Sequence, residues 1–304
     1  MAAVRVPMSA RQGRVLAPAK ITRGTPAVQQ APILSRLRRE GDLFRQSFSE
    51  ATEMPKPTGV VLGLDTSRAS GEKSPMVYVV YLVPSDKAVR ADYKEGIERA
   101  IKELQRWYRV QMGNTKTFQI HSPTVEVRMT SHPAAWYAQN PNGDFVVSFW
   151  NNVVGDGFAR TGGKFNDPNY RWVYYIDADP VCGQIGGAGT SGVTALPAND
   201  LRGLVGEQNI PPCANEVPDY GGVCRWIGGL GHELGHAFGL PHPAQCEPGN
   251  KSMNSMSCPS NTLMWFGYMT YPFTYLLEEN KNFLKQGGFF DFALTTPSAP
   301  LCGQ

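Results

Sequence analysis

Three of the five histidines in this chain of 304 residues, and one glutamate, fall in a single short stretch, Gly231-His232-Glu233-Leu234-Gly235-His236-Ala237-Phe238-Gly239-Leu240-Pro241-His242. His232 and His236 are spaced i, i+4, so on a helix their imidazoles leave the same face one turn apart. That separation lets two ring nitrogens reach one metal ion at about 2.0–2.1 Å. Gly239 follows where a left-handed residue would end the helix, and Leu240-Pro241 then turns His242 back as a third ligand. Three neutral imidazoles leave a fourth coordination position for water, the arrangement of a catalytic zinc site as opposed to a closed structural one. Glu233, beside the first ligand, is placed to exchange a proton with that water. A shuffled chain of this composition would contain the pattern with a probability of about 10⁻⁵. The competing reading of a helix with incidental histidines is therefore weak. A zinc site without chemistry has no use for a carboxylate at Glu233.

At these residues the chain resembles the metzincin clan of zinc metalloendopeptidases, which holds astacins, matrixins and adamalysins. Every fixed position of the extended zinc motif matches from His232 to His242. The resemblance implies an α+β catalytic domain with a twisted mixed sheet and helices. In that clan a zinc cleft separates a larger N-terminal from a smaller C-terminal subdomain. It also implies a methionine-bearing turn beneath the metal. Met264, in Asn261-Thr262-Leu263-Met264, is preferred for that turn. Met269, in Met269-Thr270-Tyr271-Pro272, is the alternative because it gives the astacin-like order. Tyr268 is the candidate oxyanion stabiliser if Met264 forms the turn, and Tyr271 if Met269 does. The pattern Asp177-Ala178-Asp179 before a glycine-rich loop offers a calcium site of matrixin type, with an ordinary strand-end turn as its rival. A matrixin-type cysteine switch is not expected, since no Cys precedes Cys182.

Around the motif the chain reads as a strand over Met76–Val83, the longest apolar run, then a helix over Asp92–Met112 with Ile97, Ile101, Leu104 and Tyr108 at helical spacing. Thr124–Met129 alternates as a half-buried strand. Phe145–Phe158 reads as a short helix carrying Phe149, Trp150 and Val153, and Arg171–Asp177 as another strand. The loop Gly183–Gly192 leads into Val193–Leu196, taken as an edge strand beside which a substrate strand could pair. Cys224–Gly239 is expected to be helical in its second half, and Phe273–Phe283 as a last helix. Strands and helices in this order fit an α+β layer architecture.

The net charge of +3 conceals an asymmetry. Residues 1–39 carry eight Lys/Arg and no acid, leaving 21 basic and 26 acidic side chains, a balance of −5, in the rest. A nucleic-acid footprint on the folded part is thereby disfavoured. No apolar stretch has the length of a membrane span. Residues 1–56 read as a basic, flexible segment, a pro-region or targeting sequence, and 57–304 as the catalytic domain. All six Cys lie between Cys182 and Cys302, which points to disulfides and a secreted protein, although residues 1–20 show no apolar core of a signal peptide. The short-loop pairings are Cys213 with Cys224 and Cys246 with Cys258. His121 and His132 read as structural or surface residues.

The chemistry these features imply is hydrolysis of a protein or peptide substrate by a zinc-activated water, with Glu233 as general base and then general acid. One rival is a catalytically silent, zinc-stabilised binding or adhesion module. Another is an interaction protein whose basic tail is the working part. Oligomeric state is not legible in the sequence.

Overall fold

The computed structural model describes residues 75–208, 210–213, 222–246 and 258–303, all within one compact unit, Leu43–Gln304. The expected basic segment 1–56 lies outside the described residues. The strands are β1 (Met76–Val83), β2 (Gln119–Ile120), β3 (Glu126–Met129), β4 (Tyr170–Ile176), β5 (Ala188–Thr190) and β6 (Val193–Leu196). The helices are α1 (Ala91–Gln111), α2 (Ala134–Gln139), α3 (Phe145–Thr161), α4 (Ala198–Leu204), α5 (Gly222–Ala237) and α6 (Glu278–Gln286). The order across the sheet is β2-β1-β4-β6-β5, with β3 pairing the far half of the same edge of β1 that β2 borders. All pairs are parallel except β5 with β6. The fold is thus α+β around a mixed sheet.

β1 and β4 are apolar on both faces because both faces are covered, as parallel strands generally require. Val77, Val79, Tyr81, Val173 and Tyr175 point into a core shared with α1 and α5. Val80, Leu82, Trp172, Tyr174 and Ile176 point the other way, onto α2 and α3. The helical spacing in α1 places Ile97, Ile101, Leu104 and Tyr108 in the first of these cores. Phe149, Trp150 and Val153 of α3 fill the second. Gly113, just past α1, has φ of +77°, the left-handed conformation that stops a helix at low cost.

Four expectations are corrected. The strand Val193–Leu196 is not at the edge: β5, formed within the glycine-rich loop, covers it. The zinc-motif helix is helical from Gly222 onward and not only in its second half, because its low-propensity glycines lie where neighbours approach closely and packing overrides propensity. The last helix begins at Glu278. Thr274 and Tyr275 are instead tied to Asn261 and Thr262 by hydrogen bonds and a β-bridge. The disulfides are Cys182–Cys213, Cys224–Cys302 and Cys246–Cys258. The short-loop pairing of Cys213 with Cys224 is therefore wrong. Cys224 sits on α5 and reaches the C-terminal segment, which folds back over α1.

Glu103 fixes that fold-back. Its side chain is 1 % exposed and accepts from Arg106 Nε at 3.0 Å, from the Leu301 backbone N–H at 3.0 Å and from the Tyr271 hydroxyl at 3.4 Å. Glu103→Ala would strand a guanidinium, an amide and a phenol in the interior. The expected loss is about 3 kcal/mol of stability, read as a midpoint shift in urea unfolding with an unchanged slope. An unchanged midpoint would mean that these groups are satisfied by water.

Candidate metal centre

Helix α5 carries the first two motif histidines. It is amphipathic, with Ile227, Leu230 and Leu234 fully buried in the core it shares with α1 and the sheet. His232 and His236 come from consecutive turns. Past Ala237 the chain reverses at Gly239, whose φ is +98°, and the Leu240 N–H closes on the Gly235 carbonyl at 3.0 Å. This reversal brings His242 alongside the other two.

The three Nε2 atoms converge, with separations of 3.1 Å for His232–His236, 3.0 Å for His236–His242 and 3.4 Å for His242–His232. Tetrahedral ligands at the usual Zn–N length stand about 3.3 Å apart, so the donor set fits one zinc ion. The three residues form a group able to hold a metal ion. Two of the remaining ring nitrogens are held from behind. Nδ1 of His232 donates to the Leu263 carbonyl at 2.7 Å, and Nδ1 of His236 to the Leu240 carbonyl at 2.8 Å. Such bonds place the proton on Nδ1 and leave Nε2 as the ligating lone pair. Burial pushes the pKa of His232 well below that of a free imidazole, and the neighbouring His236 and His242 push in the same direction. The ring is accordingly kept neutral, as metal ligation needs.

Glu233 is fixed through its backbone. Its carbonyl accepts from the Thr194 hydroxyl of β6 at 3.1 Å, and Gly189 of β5 lies so close that a Cβ there would stand 3.0 Å from the Glu233 Cα and overlap its carbonyl. The sheet thus sets the height of the helical turn that carries the glutamate.

Of the remaining candidates, Met264 is fully buried against α5, where a Cβ at Gly235 would overlap its sulfur and stand 3.0 Å from its Cε. It follows directly on Leu263, whose carbonyl orients His232. Met269 is half-buried in the 3-10 turn Gly267–Thr270. The Tyr268 ring lies 5.1 Å from the His232 ring, between centroids. Tyr271 points away from the histidines, into the core beside Trp107 and Glu103, where burial above all, and then Glu103, raise its pKa well above that of a free phenol. Sequence reasoning missed Trp265, whose ring meets His242 edge-on at 5.1 Å. It also missed Arg225, whose guanidinium lies over Tyr268 and Trp226 at 4.8 and 4.5 Å. Arg225 was within reach, since it precedes His232 by two helical turns on the same face.

The Asp177-Ala178-Asp179 pattern does not support calcium. Asp179 is engaged by Arg202 through two hydrogen bonds, of 2.9 and 2.8 Å, so a guanidinium occupies the place a cation would take. Among the described residues no helix is long and apolar enough to cross a membrane.

No protein-family model matches the chain, and no curated protein sequence does. Solved structures of OgpA from Akkermansia muciniphila are similar to it. The wild-type protein in one crystal form gives a TM-score of 0.46 at 19 % identity, over 77 % of this chain and 66 % of that one. A second crystal form gives 0.42 at 18 %, over 72 % and 62 %. A catalytically inactive form in complex with an O-glycopeptide (glycodrosocin) substrate gives 0.42 at 16 %, also over 72 % and 62 %. This chain therefore spans slightly less than two thirds of the length of those chains. Likenesses of this size leave the function to be argued from the residues themselves.

Proposed function

We propose that the chain is a secreted, zinc-dependent endopeptidase of the metzincin type, with 57–304 as its catalytic domain and 1–56 as a pro-region or targeting segment. The observation that carries this reading is the convergence of three Nε2 atoms, each 3.0–3.4 Å from the next, with a glutamate on the same helical turn. Three disulfides among the described residues support an oxidising compartment.

Zinc, when bound, supplies a Lewis acid that polarises the scissile carbonyl and makes water a nucleophile near neutral pH. His232, His236 and His242 would hold it. Glu233 takes the proton from the attacking water and passes it to the leaving amine nitrogen, acting first as base and then as acid. Among the described residues, Tyr268 is the tyrosine whose ring meets a ligand, His232. Its O–H would donate to the carbonyl oxygen as negative charge develops there, and Arg225 above its ring would keep the phenol in place. Met264, packed under the turn between His232 and His236, gives the ligands a close-fitting floor. β5, as the sheet edge next to α5, is the segment on which an extended substrate would lie.

The test joins metal analysis to cleavage of a denatured protein and of unmodified and O-glycosylated peptides, with and without a chelator. One zinc per chain and chelator-sensitive cleavage, restored by added zinc, is the expected result. Zinc without cleavage of any substrate, in protein from which residues 1–56 have been removed, would replace the enzyme reading with a binding module. Metal-replete protein that carries no zinc would overturn the proposal.

A further inference from the structure

The sheet ends in a second candidate site, built from residues the zinc chemistry does not use. β1, β4 and β6 run parallel, and ligands of open sheets with parallel strands settle outside the carboxyl ends of the strands. At those ends lies a cavity of about 180 Å³ lined by Lys87, Ala134, Ala135, Asp177, Ala178, Asp179, Ala198 and Arg202. Lys87 follows β1, Asp177 is the first residue beyond β4, and Ala198 is the second beyond β6. Four of the eight lining residues are alanines, so space is left where larger side chains would fill it.

The charges in the cavity are unevenly satisfied. Arg202 holds Asp179 with two hydrogen bonds and neutralises it. Asp177 is only 7 % exposed, yet among the described residues its carboxylate takes part in no hydrogen bond and no ion pair. Its carboxylate is thus left facing the cavity, which it lines, without a protein partner. Burial is the largest influence on it and raises its pKa, against the opposing fields of Lys87, Arg90 and Arg202. Lys87 is exposed at the rim, with no ion pair to Asp177. The lining therefore presents an acceptor of negative charge inside, a positive ammonium at the mouth and no net charge in sum.

We propose that this cavity binds a free α-amino acid, its ammonium donating to Asp177 and its carboxylate meeting Lys87. A plain cation would meet Lys87 and Arg202, and a plain anion would meet Asp177. A zwitterion satisfies both ends. The small alanine walls admit the Cα and a side chain directed to solvent.

Isothermal titration of the full chain with L-alanine and L-leucine tests the assignment, each compared with its amide, which lacks the carboxylate, and its N-acetyl derivative, which lacks the ammonium. Saturable binding of at least one free amino acid is expected, weakened at least about tenfold in both derivatives, or about 1.4 kcal/mol. Asp177→Asn, isosteric at a carboxylate that holds nothing in the fold, should abolish binding with an unchanged circular dichroism spectrum. Ala135→Phe, at an exposed position on the cavity wall, is a second variant that should block entry without touching Asp177. No saturable binding of either amino acid would overturn the proposal and leave Asp177 to water or to a swing of Lys87. So would derivatives that bind as well as the parent, or binding that survives both substitutions.

Discussion

Glu233→Gln is expected to slow peptide hydrolysis by about 10²–10⁴-fold while the purified protein still holds one zinc per chain. The amide has the size and shape of the carboxylate but cannot take a proton from water or return one to an amine. Its effect on the fold should be small, because the exchange keeps the shape of the side chain and two contacts that fix this turn of α5 are made to its backbone. The Glu233 carbonyl is bound by Thr194, and β5 presses against it at Gly189. Neither contact involves the side chain. His232 and His236 keep their own anchors as well, at the carbonyls of Leu263 and Leu240. Zinc content by elemental analysis and initial rates on one peptide therefore separate the possible roles. Loss of activity with zinc retained assigns the proton transfers to Glu233. Loss of both would make it a structural or ligating residue, and unchanged activity would require another base. A binding module would show no effect in its binding assay.

The candidate metal site was legible in the sequence to the degree that it is local. His232, Glu233, His236 and Gly239 sit on one helix and its stop signal, where i, i+4 spacing and a left-handed glycine determine geometry without reference to the rest of the chain. The same holds for the apolar stripe Ile97, Ile101, Leu104, Tyr108 of α1 and for the β-branched run of β1. What was not legible depends on distant partners. Cys224 finds Cys302 across a sequence separation of 78, and no loop-length preference points to that choice. Asp179 looked like a cation ligand because nothing in its neighbourhood announces Arg202. The choice between Tyr268 and Tyr271 hung on which methionine forms the turn. Burial beside Glu103 and Trp107 turns Tyr271 away and leaves Tyr268 near His232. Glycine content was read as loop, yet part of the Gly183–Gly192 segment forms the edge strand. Its glycine is required by the approach of α5 and not by a turn.

Gly189→Ala tests that approach directly and should be among the most damaging small substitutions in the protein. The added methyl would overlap the Glu233 carbonyl oxygen and stand 3.0 Å from the Glu233 Cα. Both are backbone atoms of a helix locked between the sheet and α1, so no rotamer change can relieve the clash. Either β5 leaves the sheet or α5 moves off it. Overpacking a core costs about 1–3 kcal/mol when side chains can adjust, and here the cost should reach or exceed about 3 kcal/mol, a fall of roughly 6–12 °C in Tm. Because the displaced residue is the glutamate between two of the proposed metal ligands, activity should fall further than stability alone explains when assayed well below the new Tm. Gly155→Ala supplies the opposite control. Gly155 lies in the middle of α3 with nothing within 4 Å of where a Cβ would stand, so the exchange should raise stability by roughly 0.5–1 kcal/mol through helix propensity and leave activity alone. Thermal unfolding and peptide turnover of the two variants, measured side by side, would show whether the sheet edge sets the position of the zinc helix. Equal Tm values for Gly189→Ala and the parent would mean that β5 is free to move and that α5 is held by its other neighbours.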